Sequence, residues 1–239
     1  RRFHHDRLTF ALYYAFHERY LLPLSHDEVV HLKKSLLDKM PGDIWQQHAN
    51  LRLLHAWQAA HPGKSLLFMG GELGAQKEWD HDGELDWGLL KDAGHAGVRL
   101  LVGDLNRLAR DRAALHELDH DWHGFEWIDF GDIENSVVSF VRWSGDREGL
   151  LFTFNLTPIV RSEYRIGVPR AGTYTEILNT DAACYGGSGV GNLGSVKSDS
   201  EPRHGHDHSI VVTLPPLAAL AFEVPAPPPD ESGGEDDEE

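Results

Sequence analysis

Tyr20-Leu21-Leu22-Pro23-Leu24-Ser25-His26-Asp27-Glu28 is an apolar run of strand length that ends in a polar, titratable turn. Further on, Ser65-Leu66-Leu67-Phe68-Met69 repeats the pattern and runs into Gly70-Gly71-Glu72. Between them a helix is expected over 44–60, with Asp43 as its cap, Ile44, Leu51 and Leu54 on an apolar face, and Pro62-Gly63 as its stop. Strand, helix, strand, with both strands apolar on both faces, is the pattern of a parallel sheet with helices outside it. The loops after the two strands then open on one side. They carry Ser25 to Glu28, Gly70 to Glu72, Glu78-Trp79-Asp80-His81-Asp82 and Leu85-Asp86-Trp87.

Working outward, Asp6 is placed to cap a helix over 7–18, where Leu8, Ala11, Leu12, Ala15 and Phe16 recur at helical spacing. A further helix over 96–112 carries Val98, Leu101, Leu105 and Leu108 on one side. From about His123 the period becomes strand-like. Segments 136–143, 149–157, 162–168, 173–178 and 209–214 are short, rich in Val, Ile, Phe and Tyr, and separated by Gly, Pro, Asn and Asp. Such runs build an antiparallel β-sandwich. The fold class is therefore α/β plus all-β, with a boundary near 119–125: an α/β part over 1–122, an all-β part over 123–224, and a tail over 225–239.

The formal net charge is −16 in 239 residues. It argues against nucleic acid or an anionic membrane surface as partner, since both repel it. Asp230, Glu231, Glu235, Asp236, Asp237, Glu238 and Glu239 supply much of that charge, in a stretch of Pro, Gly, Ser and acids with no apolar pattern, so the tail is expected to be disordered. Cys184 is the single cysteine and excludes an internal disulfide. No run reaches the ~18 apolar residues of a membrane span, and no signal peptide opens the chain. The cytoplasm is the expected location. The chain begins with Arg1 rather than Met, which points to a missing upstream portion.

Asp27 beside His26, at the C-terminal end of a parallel strand, stands where α/β barrels carry their chemistry. The pair could hold vicinal sugar hydroxyls and set a fixed negative charge near a developing oxocarbenium ion, or be a surface turn with a capping Asp. Trp79 and Trp87, interleaved with Asp80, Asp82, Glu84 and Asp86, suit sugar rings, yet read preferentially as core plugs among solvated acids. Asp80, Asp82 and Gly83 lack the remaining ligands of a calcium loop. Gly189-Val190-Gly191-Asn192-Leu193-Gly194 fits G-x-G-x-x-G but has no helix after it, so it reads as a tight sandwich loop. His204, His206 and His208 alternate, but Pro202 and Gly205 favour a turn over a zinc-binding strand. No metal and no cofactor is expected.

The stretch LPLSHDEVVHLKKSLLDK at 22–39, with Met40-Pro41-Gly42-Asp43, closely resembles the glycogen branching enzymes of the alpha-amylase superfamily. HPGKSLLFMGGELG at 61–74, EWDHDGELDW at 78–87, and in the second half ENSVVSFVRW, EILNTDAACYGGSGVGN and HSIVVTLPPLAAL resemble the same family. The resemblance runs from Phe3 to Val224. It implies the C-terminal part of a (β/α)8 TIM barrel followed by an all-β domain, and transfer of an alpha-1,4-glucan segment onto a 6-hydroxyl to branch glycogen with retention. It further implies that Asp27 is the transition-state-stabilising carboxylate, with His26 binding the same sugar ring and Glu28 and Trp79 as further substrate contacts.

A retaining mechanism also needs a carboxylate nucleophile and an acid/base ~5 Å apart. In the family both come from earlier barrel strands, whose motifs have no counterpart here. The chain alone is thus expected to be inactive and to self-associate unless the missing N-terminal part of the enzyme completes it. Alternatives are a non-catalytic glucan-binding module or another alpha-amylase-superfamily hydrolase. Two positions depart from the family pattern. Leu32 stands where Gly is usual, which predicts a crowded loop or a forbidden positive φ. Gly71 stands where Asn is usual.

Overall fold

The computed structural model describes residues 5–17, 19 and 21–227. Glu18, Tyr20 and positions 228–239, which include most of the expected acidic tail, lie outside the described residues. The expected helix over 7–18 is two single turns, α1 (Arg7–Phe10) and α2 (Leu12–Ala15). Asp6 makes no side-chain cap and is itself helical at φ −55. Phe10, Tyr13 and Tyr14 are exposed, so the segment gains little from packing, and a helix this short does not offset its nucleation cost alone.

β1 (Leu21–Leu24) and β2 (Lys64–Leu67) pair in parallel, Leu21 opposite Lys64 and Leu24 opposite Leu67, with α3 (Ile44–Ala60) as the crossover. Asp43 and Gln46 form a complete capping box at its start. Gln58 locks the unit: its side-chain amide donates to Leu22 O at 2.7 Å and Leu66 O at 2.9 Å, bridging both strands. The strands are not buried on both faces as their composition predicts. β1 alternates between exposed and half-buried and β2 is exposed except at Leu67, with Leu21 and Leu66 both exposed, because two strands and the helices on one side cannot cover the other face.

α4 (Ala93–Asp111) begins three residues earlier than predicted. Asp92 caps it by accepting from the backbone N–H of Gly94 and His95. Gly97 lets the helix pass directly against the Tyr185 backbone, where a Cβ would collide. Among the described residues, no helix is long and apolar enough to cross a membrane.

Eight strands follow: β3 (Phe125–Asp129), β4 (Val137–Trp143), β5 (Gly149–Asn155), β6 (Arg161–Val168), β7 (Thr173–Asn179), β8 (Ser195–Lys197), β9 (His208–Leu214) and β10 (Ala218–Glu223). Six form one sheet in the order β3-β4-β5-β10-β7-β8, all antiparallel, and β6 and β9 pair over it. β3, β8 and β10 are absent from the sequence-based expectation. β10, Ala218-Ala219-Leu220-Ala221-Phe222-Glu223, is nonetheless central, since alanine carries little strand preference and hides it. Its alternation is functional: Ala219 and Ala221 lie in the core shared with α3, Leu220 and Phe222 in the core shared with β6 and β9.

The large sheet is therefore covered on both faces. Every residue of β4 and β5 is buried. Phe140, Phe152 and Phe154 face the helices, where Trp57 of α3 meets Phe154 and Phe140 edge-on at centroid distances of 5.0 and 5.9 Å. Val141 and Leu151 face Ile166, Ile210 and Val212.

Arg142 ties the layers polarly. Its guanidinium, fully buried in β4, donates to Asp119 Oδ1 at 2.7 Å, Ala60 O at 2.8 Å and Gly124 O at 3.3 Å. Asp119 Oδ2 also accepts from Lys64 Nζ at 3.0 Å. Burial lowers the Arg142 pKa while Asp119 opposes the shift. Asp119→Ala leaves that cation buried without its counter-ion and is expected to cost about 3–5 kcal/mol, read as a lower urea midpoint. An unchanged midpoint would refute the role.

His55 of α3 is buried, donates one ring N–H to Gly71 O at 3.2 Å, and is pushed down by burial to about 4. The unfolded imidazole takes its proton near pH 6.5, so the folded state loses stability as pH falls from about 6.5 to about 4. The loss amounts to roughly 3 kcal/mol. His55→Gln keeps a donor and cannot titrate; its melting temperature should fall less over that range than that of the parent chain.

Candidate functional site at the ends of the parallel strands

The turn after β1 is one 3-10 turn, His26–Glu28, entered from an extended Ser25. Its geometry follows from the carboxylate: Ser25 Oγ donates to Asp27 Oδ2 at 2.8 Å, and His26 Nδ1 lies 3.3 Å from Asp27 Oδ1. The Ser25 hydroxyl is the largest cause holding Asp27 below its ordinary carboxylate pKa, followed by its own backbone N–H, with smaller help from His26 and Lys33. Asp27 is therefore ionised at neutral pH and stands open to solvent.

The His26 imidazole packs against Phe68 and, edge-on, against Trp79, each at 5.9 Å between centroids, and Phe68 meets Trp79 at 5.2 Å. Trp79 is held by its backbone N–H, which donates to Val29 O at 2.8 Å. A cavity of about 860 Å³ opens beside this wall, lined by Phe68, Met69, Trp79, Leu85 and Trp87 among others. His26 and Asp27 adjoin it through the shared aromatic wall but do not line it. Glu28 is tied to Lys39, whose ammonium lies 3.2 Å from Oε2. The reading of both tryptophans as core plugs is corrected: Trp79 is half-buried and Trp87 is 58% exposed, because the 78–87 loop covers a cavity and not a core.

Leu32 corrects a second expectation. It adopts the positive φ of 69 that a leucine was predicted to forbid, and its exposed side chain crowds nothing. Lys34 is also left-handed at φ 68. Both strained residues send their backbone N–H to one carboxylate, Glu78, at 3.0 and 2.7 Å, and these two bonds are the main causes lowering the Glu78 pKa. Glu78, adjacent to Trp79, thus joins the loop after β1 to the loop after β2. Sequence reading singled out Trp79 and missed Glu78, whose role depends on the backbone of a loop distant in sequence.

The G-x-G-x-x-G and alternating-histidine motifs lie in loops and turns. Gly189 and Gly194 are left-handed turn residues in a loop that leads into strand β8, with Asp181 accepting from Ser188 and Val190 N–H. His204 and His206 sit on a turn and face separate acids, Asp129 and Glu126.

The alpha amylase C-terminal all-beta domain family matches residues 127–225. The 1,4-alpha-glucan branching enzyme GlgB of Aromatoleum aromaticum is 60% identical over 220 residues, 92% of this chain and 35% of that protein. That of Burkholderia thailandensis is 60% identical over 227 residues, 94% of this chain and 27% of that protein. The chain is homologous to the C-terminal third of the GlgB branching enzymes. A debranching enzyme from Nostoc punctiforme superposes with a TM-score of 0.53 over 85% of this chain and 35% of that one, at 17% identity, which shows a shared fold. The chain spans about a third of the length of the GlgB relatives, a glycosyltransferase family. An alignment over 92% of the chain is long enough to include both the 3-10 turn with Asp27 and most of the six-stranded sheet.

Left-handed backbone costs a leucine about 1–2 kcal/mol and a glycine nothing, while glycine loses about 0.5–1 in unfolded-chain entropy. Leu32→Gly is therefore expected to stabilise the chain by about 0.5–1 kcal/mol, measured by urea unfolding. A clear destabilisation would mean that the Leu32 side chain contributes packing absent from this loop.

Proposed function

We propose that these residues serve an enzyme that branches an alpha-1,4-glucan such as glycogen through alpha-1,6 linkages, and that Asp27 supplies its transition-state-stabilising carboxylate. The observation that carries this is an ionised, solvent-facing carboxylate at the C-terminal end of a parallel strand, oriented by Ser25 and His26 beside a wall of aromatic faces. A fixed negative charge there favours the oxocarbenium-like transition state of glycosyl transfer over the neutral ground state. His26 offers a ring nitrogen to the hydroxyls of the same sugar, Trp79 a flat apolar face, and Glu28 the carboxylate oxygen not taken by Lys39.

The nucleophile and acid/base belong, in this reading, to other strands of the barrel. The exposed apolar side chains of Leu21, Leu66 and Met69 support it, since further strands would bury them. We assign 1–122 to the barrel end, 123–224 to the all-β domain and 225–239 to an acidic tail, with the cytoplasm as location, no membrane or nucleic-acid partner, and the preceding part of the enzyme as the physical partner. A glucan-binding role for the chain alone has its own support in the 860 Å³ cavity with Trp79 and Trp87 at its wall; native gels containing glycogen would show retardation lost in Trp79→Ala.

Iodine absorbance on amylose tests the main proposal. The 239-residue chain should form no branches, whereas a polypeptide of the relatives' full length carrying these residues should. Asp27→Asn in that longer protein should lower branching by about 10²–10³-fold with melting temperature unchanged. Branching by the short chain, or near-normal activity of Asp27→Asn, would overturn the assignment.

A further inference from the structure

A second group of titratable side chains lies away from the Asp27 turn, where the N-terminus of α4 crosses the beginning of α3. His48 and His95 are both buried, their rings edge-to-face at 4.7 Å between centroids, with exposed Asp92 beside them. One ring nitrogen or carboxylate oxygen from each of the three lies within 4.8 Å of the other two.

The tautomers are set by the backbone. His48 Nδ1 is 2.9 Å from Ile44 O, and His95 Nδ1 is 2.9 Å from Leu73 O. A carbonyl only accepts, so both Nδ1 atoms carry the proton and both Nε2 atoms present a lone pair. A carbonyl holding the far nitrogen of an imidazole is also how metal-binding histidines are oriented and made more basic. His48 Nε2 is buried with no hydrogen-bond partner. Leaving such an acceptor unsatisfied is costly, so the position calls for a proton donor or a cation. His95 Nε2 has only the Gln76 amide, at 3.4 Å. Asp92 uses one carboxylate oxygen, Oδ1, to cap α4, which leaves Oδ2 available.

We propose that His48, His95 and Asp92 bind a divalent transition-metal cation of the zinc class, cross-linking the start of α3 to the start of α4. Two neutral imidazoles and one carboxylate are a borderline-soft donor set with a net charge of −1, suited to zinc and unsuited to calcium or magnesium. Tetrahedral bonds of about 2.0–2.1 Å place ligand atoms about 3.3 Å apart, so separations that lie within 4.8 Å need to close by roughly 1.5 Å at most. The exposed Asp92 side chain is the one free to swing. Gln76 either yields or turns its amide oxygen toward the ion, and water completes the shell. Gly94 keeps the place open, since a Cβ there would press on His48 Nε2 and Asp92 Oδ1.

The 239-residue chain, stripped with a chelator, is melted with and without zinc chloride and titrated with cobalt chloride. Zinc at a hundredfold excess over its Kd should raise the melting temperature by roughly 5 °C. Cobalt should develop the visible absorption of a four-coordinate site. His48→Phe should abolish both responses. Asp92→Asn, which retains the cap, should keep the metal-free melting temperature and weaken zinc at least tenfold, and it decides the matter if His48→Phe does not fold. No zinc shift in the parent chain, as when a water satisfies His48, overturns the proposal. So does a shift that persists undiminished in both variants, which would place the ion elsewhere, for instance on the exposed Asp80-His81-Asp82 group.

Discussion

The structure depends on a sheet that is dry on both sides. β4 and β5 have no exposed residue, so an antiparallel sheet that could have presented one face to water has two hydrophobic partners to satisfy. One face is met by β6 and β9, the other by α3 and α4. The second contact is the consequential one, because α3 also connects the two parallel strands whose ends form the candidate site. Trp57 packs on Phe154 while Gln58, the next residue, holds Leu22 and Leu66. A single helix thereby transmits the position of the all-β layer to the Asp27 turn. The all-β part is accordingly a foundation for the parallel strands as well as an appendage to them.

Charge is used in two ways in this frame. In the interior, Arg142 and Asp119 are buried together with every guanidinium contact directed at a carboxylate or carbonyl, which fixes where the end of α3 meets β4. At the site, Asp27 and Glu78 are solvated and are shifted by hydrogen bonds more than by burial. Glu78 spends its carboxylate on the backbone of Leu32 and Lys34 and so holds a strained loop beside Trp79. Strain of this kind is tolerated where the surroundings over-determine the conformation. Asp27 instead stays open to solvent, held by Ser25 and ionised, which is the environment the proposed role requires.

Much of this was legible from residue order alone. The apolar run before Ser25, the Asp43 cap and the second apolar run led to a parallel strand-helix-strand unit, because these are local and periodic signals. The Asp27 and His26 pair and Trp79 stood out by residue type, and their proximity in space follows from the parallel pairing. What stayed hidden was carried by partners remote in sequence. β10 reads as featureless because its alanines answer to a helix over 150 residues earlier, where small side chains admit α3. Trp87 resembles a core residue until the loop that bears it is seen to face a cavity.

Local order therefore decided the two long helices, the parallel pairing and the identity of the turn that ends β1, since caps, periodicity and strand ends depend on neighbours a few residues apart. Tertiary structure alone decided which faces are dry, that Leu32 takes a left-handed backbone against its preference, and that His48 meets His95 and Asp92. The physical reason is that burial, strain and the tautomer of a histidine are set by what stands opposite. Here the groups that stand opposite come from segments dozens of residues away, so no local pattern records them.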